Sequence, residues 1–139
     1  LDQATAAVNI FRSEYSVYTK WQWNERNKCE RLGFARTPAG KMRKLLPDEI
    51  YTKSVNTPVQ GGAAEVIQSA LIHCHRVGLH LINCVHDEIL IKSTIEKSNE
   101  DSKLLEHCMV KGMLEIFPKA TTNKLVEATI GNAWGDCKE

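Results

Sequence analysis

The sequence Cys84-Val85-His86-Asp87-Glu88-Ile89-Leu90-Ile91 places two adjacent carboxylates and a histidine between two apolar, β-rich runs. Residues 79–85 and 89–92 are predicted to be consecutive strands of an antiparallel hairpin. A two-residue hairpin turn normally contains Asn-Gly or Asp-Gly, because its central residues need positive φ. The connection here contains no glycine. We therefore interpret it as a turn that presents a carboxylate, and we expect the Asp87 side chain to face solvent.

Ahead of this hairpin, the spacing of apolar residues predicts a long helix and a second, smaller hairpin. The helix is expected to run to about residue 31 and to end at Gly33, because apolar residues recur at helical spacing through Ala4, Ala7, Val8, Phe11, Tyr15, Tyr18 and Trp21. Residues 34–36 and 42–46 flank the turn sequence Thr37-Pro38-Ala39-Gly40, which predicts a hairpin with a basic second arm.

Three further elements complete the predicted fold. Thr57 is a favourable N-cap with Pro58 at the first helical position, so a helix is expected from there to Gly78. Asn99 is predicted to cap another helix, with Pro118 just past its end. Residues 125–130 are predicted as a third strand. This order predicts an α+β fold, with helices packed on a small antiparallel sheet that contains the central β-hairpin.

The bulk composition is that of an ordinary globular protein. The chain has 139 residues, which we interpret as a single domain, with 42% hydrophobic and 25% charged residues. No apolar run approaches the ~20 residues of a membrane span, so we expect no membrane association. Five scattered cysteines favour free thiols in a reducing setting, and we expect a cytoplasmic location.

The charge of the chain is unevenly distributed. Residues 1–60 contain ten Lys and Arg against six Asp and Glu, a net of +4, whereas residues 61–139 contain eight against eleven, a net of −3. The basic residues concentrate between Lys20 and Lys53. A local basic surface is what contact with phosphates needs, although a solvated charged face would have the same composition.

Four segments in order resemble family A DNA polymerases, the bacterial DNA polymerase I type. Val85-His86-Asp87-Glu88 is similar to the palm-domain motif of that family, and residues 56–67 resemble its Asn-x-Pro-x-Gln-Gly-x-Ala-Ala-Asp/Glu segment. Residues 37–43 resemble an upstream Thr-x-x-Gly-Arg-x-Arg stretch, and residues 130–134 resemble the C-terminal Gly-x-x-Trp ending. The resemblance implies the C-terminal part of a polymerase palm, covering about the last third of the polymerase domain.

The resemblance also implies roles for individual residues. Asp87, with Glu88 beside it, is expected to be catalytic, and Asp87 to bind Mg²⁺ in the intact enzyme. Two such ions stabilise the attacking and leaving oxygens of phosphoryl transfer, and each Mg²⁺ typically takes only one or two protein carboxylates. The reaction implied is template-directed extension of a primer 3′-OH by a deoxynucleoside triphosphate.

Contacts with primer–template DNA are implied for five residues: His86, Asn56, Gln60, Lys41 and Arg43. His86 corresponds to a residue near the primer terminus. Asn56 and Gln60 correspond to residues that touch the minor groove, where acceptors are nearly common to all base pairs and contacts check pairing geometry. Lys41 stands where the family prefers Arg, and Thr52 where the family commonly has Arg.

Parts of the family pattern are missing from the sequence. The Asp-Tyr-Ser-x-x-Glu-like motif, which carries the other palm carboxylate, is absent, and so is the fingers helix with its Lys and Tyr. We therefore expect the 139-residue chain alone to be inactive and the remainder of the polymerase to be a partner. The alternatives are a non-catalytic nucleic-acid-binding or assembly module, and a metal-dependent nuclease that uses the same carboxylate pair.

A zinc site is a competing interpretation of six closely spaced residues: His73, Cys74, His75, His80, Cys84 and His86. No Cys-x-x-Cys pair occurs among them, and the three consecutive residues fan around a helix. Cys74 and Cys84 fall on apolar patterns that are typical of buried free thiols. The sequence therefore disfavours zinc.

Overall fold

The computed structural model describes residues 2–137, with four helices and two antiparallel hairpins. The helices are α1 (Asp2–Glu14), α2 (Ser16–Leu32), α3 (Ile50–Arg76) and α4 (Ser98–Ile116). The strands are β1 (Phe34–Arg36), β2 (Met42–Lys44), β3 (His80–Val85) and β4 (Glu88–Lys92), and short 3₁₀ turns lie at Pro47–Glu49 and Trp134–Cys137. The predicted α+β class is confirmed. The chain divides into two compact units, Leu1–Val59 and Gln60–Glu139.

The predicted first helix is two helices. Tyr15 leaves helical geometry with φ −101° and ψ 47°, and this residue separates α1 from α2. The continuous helix predicted from the apolar spacing is therefore wrong at Tyr15. The predicted end is confirmed, because Gly33 adopts φ 75° and its N–H donates to the Cys29 carbonyl oxygen at 2.8 Å.

In the first unit, the predicted small hairpin is confirmed. β1 pairs with β2 in antiparallel register, from Phe34 opposite Lys44 to Arg36 opposite Met42. A small core of buried residues lies beside it and consists of Cys29, Ala35 and Leu45, with Ile50 packed against them. This core attaches the hairpin to the end of α2 and the start of α3.

The predicted start of the third helix is wrong, because α3 begins at Ile50 rather than at Thr57. Thr57 and Pro58 therefore lie inside the helix, and Pro58 cannot donate the backbone hydrogen bond that its position would normally supply. The Thr57 hydroxyl caps nothing; it is buried without a hydrogen-bond partner, as is the hydroxyl of Ser54. The two residues that predicted a helix start therefore lie in the interior of a helix.

The second unit is built on β3, β4 and the helices that pack against them. Its core contains Ala70, Cys74, Leu79, Ile89, Leu105 and Cys108. Burial, with the neighbouring Cys108 thiol, raises the pKa of Cys74 to about 12. A Cβ at Gly112 would lie 2.7 Å from the Ala70 nitrogen and 2.8 Å from the Val66 carbonyl oxygen, so α3 and α4 pack backbone to backbone there.

Two details of this unit differ from the sequence predictions. α4 begins at Ser98 with Lys97 as its N-cap, so Asn99 lies inside the first turn. Residues 125–130 form no strand. The Ala128 N–H instead donates to a Glu106 carboxylate oxygen of α4 at 2.9 Å, which satisfies a backbone group that a strand would pair with a neighbour. Over the described residues, no helix is both long enough and apolar enough to span a membrane.

Candidate catalytic hairpin and nucleic-acid contacts

The β3–β4 hairpin ends in a two-residue turn formed by His86 and Asp87. The strands pair from His80 opposite Lys92 to Val85 opposite Glu88, which leaves only these two residues in the turn. His86 has φ 55°, a left-handed conformation that costs a non-glycine residue about 1–2 kcal/mol. Strain of this kind clusters at functional sites. The missing glycine is therefore a real departure from turn chemistry, as the sequence suggested.

The carboxylates of this turn lie on the surface. Asp87 occupies the second turn position and is exposed, which confirms the prediction for its place in the fold. Glu88, the first residue of β4, is also exposed. Neighbouring positions in a hairpin differ in direction, so the two carboxylates need not serve the same ion.

The base of the hairpin is held by the core of the second unit. Ile89, directly after the two carboxylates, is only 8% exposed and packs in that core. The pairing of β3 with β4 shifts between Leu81 and Asn83, so Ile82 bulges from the ladder and 60% of it is exposed. Bulges re-aim the strands that carry them. Because Ile89 is packed in the core and the turn has only two residues, the position of Asp87 relative to the core is fixed.

A polar cluster connects α3 to α4 in the same unit, and sequence reasoning missed it. The hydroxyl of Ser69 donates to one carboxylate oxygen of Glu115, and Nε2 of buried His73 lies 2.9 Å from the other. Nε2 has no hydrogen-bond partner of suitable geometry, so this is a close contact between the two side chains and not a hydrogen bond. The Ser69 hydrogen bond is the main cause that lowers the pKa of Glu115; desolvation opposes it, and the nearby His73 and Lys111 add smaller lowering effects. Only the one-turn spacing of Ser69 and His73 could have hinted at this cluster.

The basic residues assigned to DNA lie on the β1–β2 hairpin. Lys41 and Arg43 are both exposed, and residues 34–46 contain four Lys and Arg with no Asp or Glu. The turn is ordered, because the Gly40 N–H donates to the Thr37 carbonyl oxygen at 2.9 Å and the Lys41 N–H donates to the Thr37 hydroxyl at 3.0 Å. This hairpin is a fixed cationic surface of the kind that contacts phosphates.

The two minor-groove candidates lie on α3. Asn56 and Gln60 are four residues apart, which places them one above the other on a helix, and both are exposed. The corrected helix start leaves this relation intact.

The histidine and cysteine residues considered for zinc have different surroundings. His73 and Cys74 are buried, whereas His75, His80 and His86 are exposed. Cys84 is exposed, so its predicted burial was wrong; a strand position at a hairpin with one open face is not enclosed. Within residues 2–137, no three His, Cys, Asp or Glu side chains converge on one point that could hold a metal ion.

Known proteins resemble this chain in sequence along most of its length. The family model for DNA polymerase family A matches residues 1–136. The thermostable DNA polymerase I of Thermus aquaticus is 26% identical over 152 residues, covering 99% of this chain and 18% of that protein. DNA polymerase I B, chloroplastic/mitochondrial, of Arabidopsis thaliana is 26% identical over 121 residues, covering 78% of this chain and 12% of that protein.

A solved structure shares the fold. The POL domain of Pol1 from M. smegmatis, in complex with DNA primer-template and dNTP, aligns with a TM-score of 0.71 at 20% identity, over 80% of this chain and 22% of that chain. The α+β hairpin fold and its acidic turn thus occur together with a family match over nearly the whole sequence. The chain belongs to DNA polymerase family A. It spans about an eighth to a fifth of the two relatives named.

Proposed function

We propose that this chain is the C-terminal palm portion of a DNA-directed DNA polymerase that extends a primer 3′-OH on a template. The observation that carries the proposal is the exposed Asp87 at a strained two-residue turn, in a chain whose family match covers residues 1–136. The five free thiols support a cytoplasmic setting for the same protein.

In this proposal the β3–β4 hairpin supplies the residues that contact the metal ion and the primer terminus. Asp87 would hold Mg²⁺, and Glu88 would be a catalytic carboxylate beside it. The residues fit the ion in part, because Mg²⁺ takes one or two protein carboxylates and completes its shell with water and substrate phosphates. When bound, the ion neutralises charge that develops on the transferring phosphate. His86, held at the turn by its own backbone conformation, would donate a hydrogen bond near the primer terminus.

The remaining contacts would hold the duplex. Lys41 and Arg43 would pair with backbone phosphates, which fixes the position of the DNA without reading sequence. Asn56 and Gln60 would touch minor-groove acceptors and so sense the geometry of the base pairs. The exposure of all four side chains supports this assignment. The deoxynucleoside triphosphate and the remainder of the polymerase would be the other partners, since this sequence lacks the Asp-Tyr-Ser-x-x-Glu-like motif that carries the other palm carboxylate.

The salt dependence of DNA binding tests the proposal. Fluorescence anisotropy would measure the binding of a labelled primer–template by the 139-residue chain over a series of salt concentrations. We expect weak binding, on the order of 10⁻⁴–10⁻⁶ M, that falls steeply with salt. Replacing Lys41 and Arg43 together by Ala removes two phosphate contacts and should reduce the log–log slope by about 1.8.

Two controls accompany this experiment. The double variant Lys103→Ala/Lys111→Ala removes two exposed lysines from α4 and should leave the slope unchanged. Gln60→Ala should also preserve the slope, because an uncharged side chain releases no counterion. A slope that is the same for the Lys41/Arg43 variant and the wild type would show that DNA does not lie on the β1–β2 hairpin.

A further inference from the structure

An apolar stripe on α1 and α2 is left uncovered. Five large side chains, four on these helices and Tyr15 between them, are each at least 43% exposed: Val8, Phe11, Tyr15, Tyr18 and Trp23. Several rings already touch one another, with centroids 4.8 Å apart for Phe11 and Tyr15 and 5.6 Å apart for Tyr18 and Trp21. A cluster of exposed apolar side chains whose rings touch one another is typical of an interaction site.

The stripe borders a groove of about 380 Å³ within the first unit. Its apolar walls include Val8, Phe11, Trp23 and Tyr51, and its polar lining includes two cations, Arg12 and Arg26. None of the residues that line it is acidic. An occupant of matching chemistry therefore combines apolar groups with a negative charge.

Arg26 is the cation of this groove whose side chain is held in a fixed orientation. Its Nε–H donates to the Tyr51 carbonyl oxygen at 3.2 Å, and its guanidinium lies 3.8 Å from the centre of the Tyr51 ring. In the part of the chain that the structure describes, no carboxylate pairs with Arg26 or with Arg12. The guanidinium is thus oriented by backbone and ring, and its terminal nitrogens suit a planar carboxylate.

We propose that this groove docks a protein segment from the rest of a family A polymerase, one that presents a carboxylate among apolar side chains. The inference rests on the proposed function and adds a surface to it. Tyr, Trp and Arg are the residue types that dominate binding energy at protein interfaces, and all three meet in this groove. Most of the polypeptide of the two relatives lies outside the matched segment and can supply the partner.

The composition of the stripe favours protein over nucleic acid. Residues 2–32 carry five Lys and Arg against four Asp and Glu, whereas residues 34–46 carry four against none. Phosphate binding depends on accumulated positive charge, which the β1–β2 hairpin has and the stripe lacks.

Overlapping synthetic peptides that tile the Thermus aquaticus DNA polymerase I sequence outside the matched segment are the probe. The 139-residue chain is titrated against each peptide by anisotropy. We expect binding by peptides that combine large apolar residues with Asp or Glu. Arg26→Gln and Phe11→Ala should each weaken that binding roughly tenfold or more. The matched control Arg31→Gln, on an exposed position of α2 outside the groove, should change it less than about twofold.

A charge exchange makes the test specific for the guanidinium–carboxylate pair. Arg26→Glu should abolish binding to the best peptide, and a peptide with Lys in place of its acidic residue should recover part of it. Binding to no peptide, or equal weakening by Arg26→Gln and Arg31→Gln, would overturn the proposal. So would loss of self-association, or of oligo-dT binding, as the only effect of Phe11→Ala. Arg26→Gln should leave the primer–template salt slope unchanged, so failure here is distinguishable from failure of the proposed DNA contacts.

Discussion

The β1–β2 hairpin turns through Thr37-Pro38-Ala39-Gly40 and gives its left-handed position to a glycine, with φ 96° at Gly40. The β3–β4 hairpin turns through His86 and Asp87 and gives that position to a histidine, with φ 55°. The first turn follows the chemistry of hairpin formation. The second turn has a strained backbone at His86, and it carries the negative charge of Asp87 where the first hairpin carries positive charge. The first turn therefore has the residues that favour hairpin formation. In the second turn, the identity of the side chains outweighs the stability that a glycine would give.

The largest loss of stability should come from disturbing the contact between α3 and α4, on which the β3–β4 hairpin packs. A Cβ at Gly112 would lie within 3.0 Å of backbone atoms of Val66 and Ala70 in α3, so Gly112→Ala must push the helices apart and should cost roughly 3 kcal/mol. Hydrogen exchange should then show loss of protection in β3 and β4. The control Gly135→Ala adds a Cβ to open space and should cost little. Equal protection in both variants would mean that the α3–α4 contact does not support the hairpin.

A smaller effect is expected at the glycine of the first turn. Gly40→Ala has room for its Cβ, since only an Arg36 side-chain nitrogen lies within 4 Å, at 3.9 Å. Its cost therefore comes from the left-handed backbone alone and should be about 1–2 kcal/mol in urea unfolding. A cost near zero would show that the turn relaxes to another type, and the contrast between the two hairpins would weaken.

The reverse substitution should stabilise the second turn. His86→Gly removes the left-handed strain but adds flexibility to the unfolded chain, so the expected net gain is at most about 1 kcal/mol. Asp87→Gly is the matched control, because Asp87 does not have positive φ and glycine there only adds flexibility. If both variants lose stability alike, the His86 conformation stores no strain.

The smallest expected effects are on the pH dependence of folding stability. The pKa of Glu49 is lowered by Lys53 and by the Leu46 N–H, and that of Glu115 chiefly by Ser69. Each carboxylate therefore stabilises the folded chain above its ordinary pKa of 4.5, and the contribution disappears as pH falls through the lower folded-state pKa. Glu49→Gln and Glu115→Gln should each lose stability at about pH 7, and the difference from the wild type should shrink as the pH falls below 4.5. Both carboxylates reach solvent, so the losses should be small. A loss that persists in acid would point to packing instead.

Local pattern was enough to predict both hairpins, the end of α2 at Gly33 and the exposed position of Asp87. It failed where tertiary structure overrides local signals. Pro58 and Thr57 have the form of a helix start but lie within α3, and residues 125–130 have strand composition but lack a partner. The Ser69–Glu115–His73 cluster and the Arg26 groove depend on contacts between separate helices, which spacing along one segment cannot show.

The most direct test of the division of roles between the hairpins is the magnesium dependence of primer–template affinity for Asp87→Asn. Without Mg²⁺ the variant should bind DNA more tightly than the wild type, because a negative charge beside the phosphates has been removed. With Mg²⁺ at matched ionic strength the order should reverse, because only the wild-type carboxylate can share an ion with the phosphates. A ratio of affinities that is the same in both conditions would contradict the assignment of Asp87 as a metal ligand next to DNA.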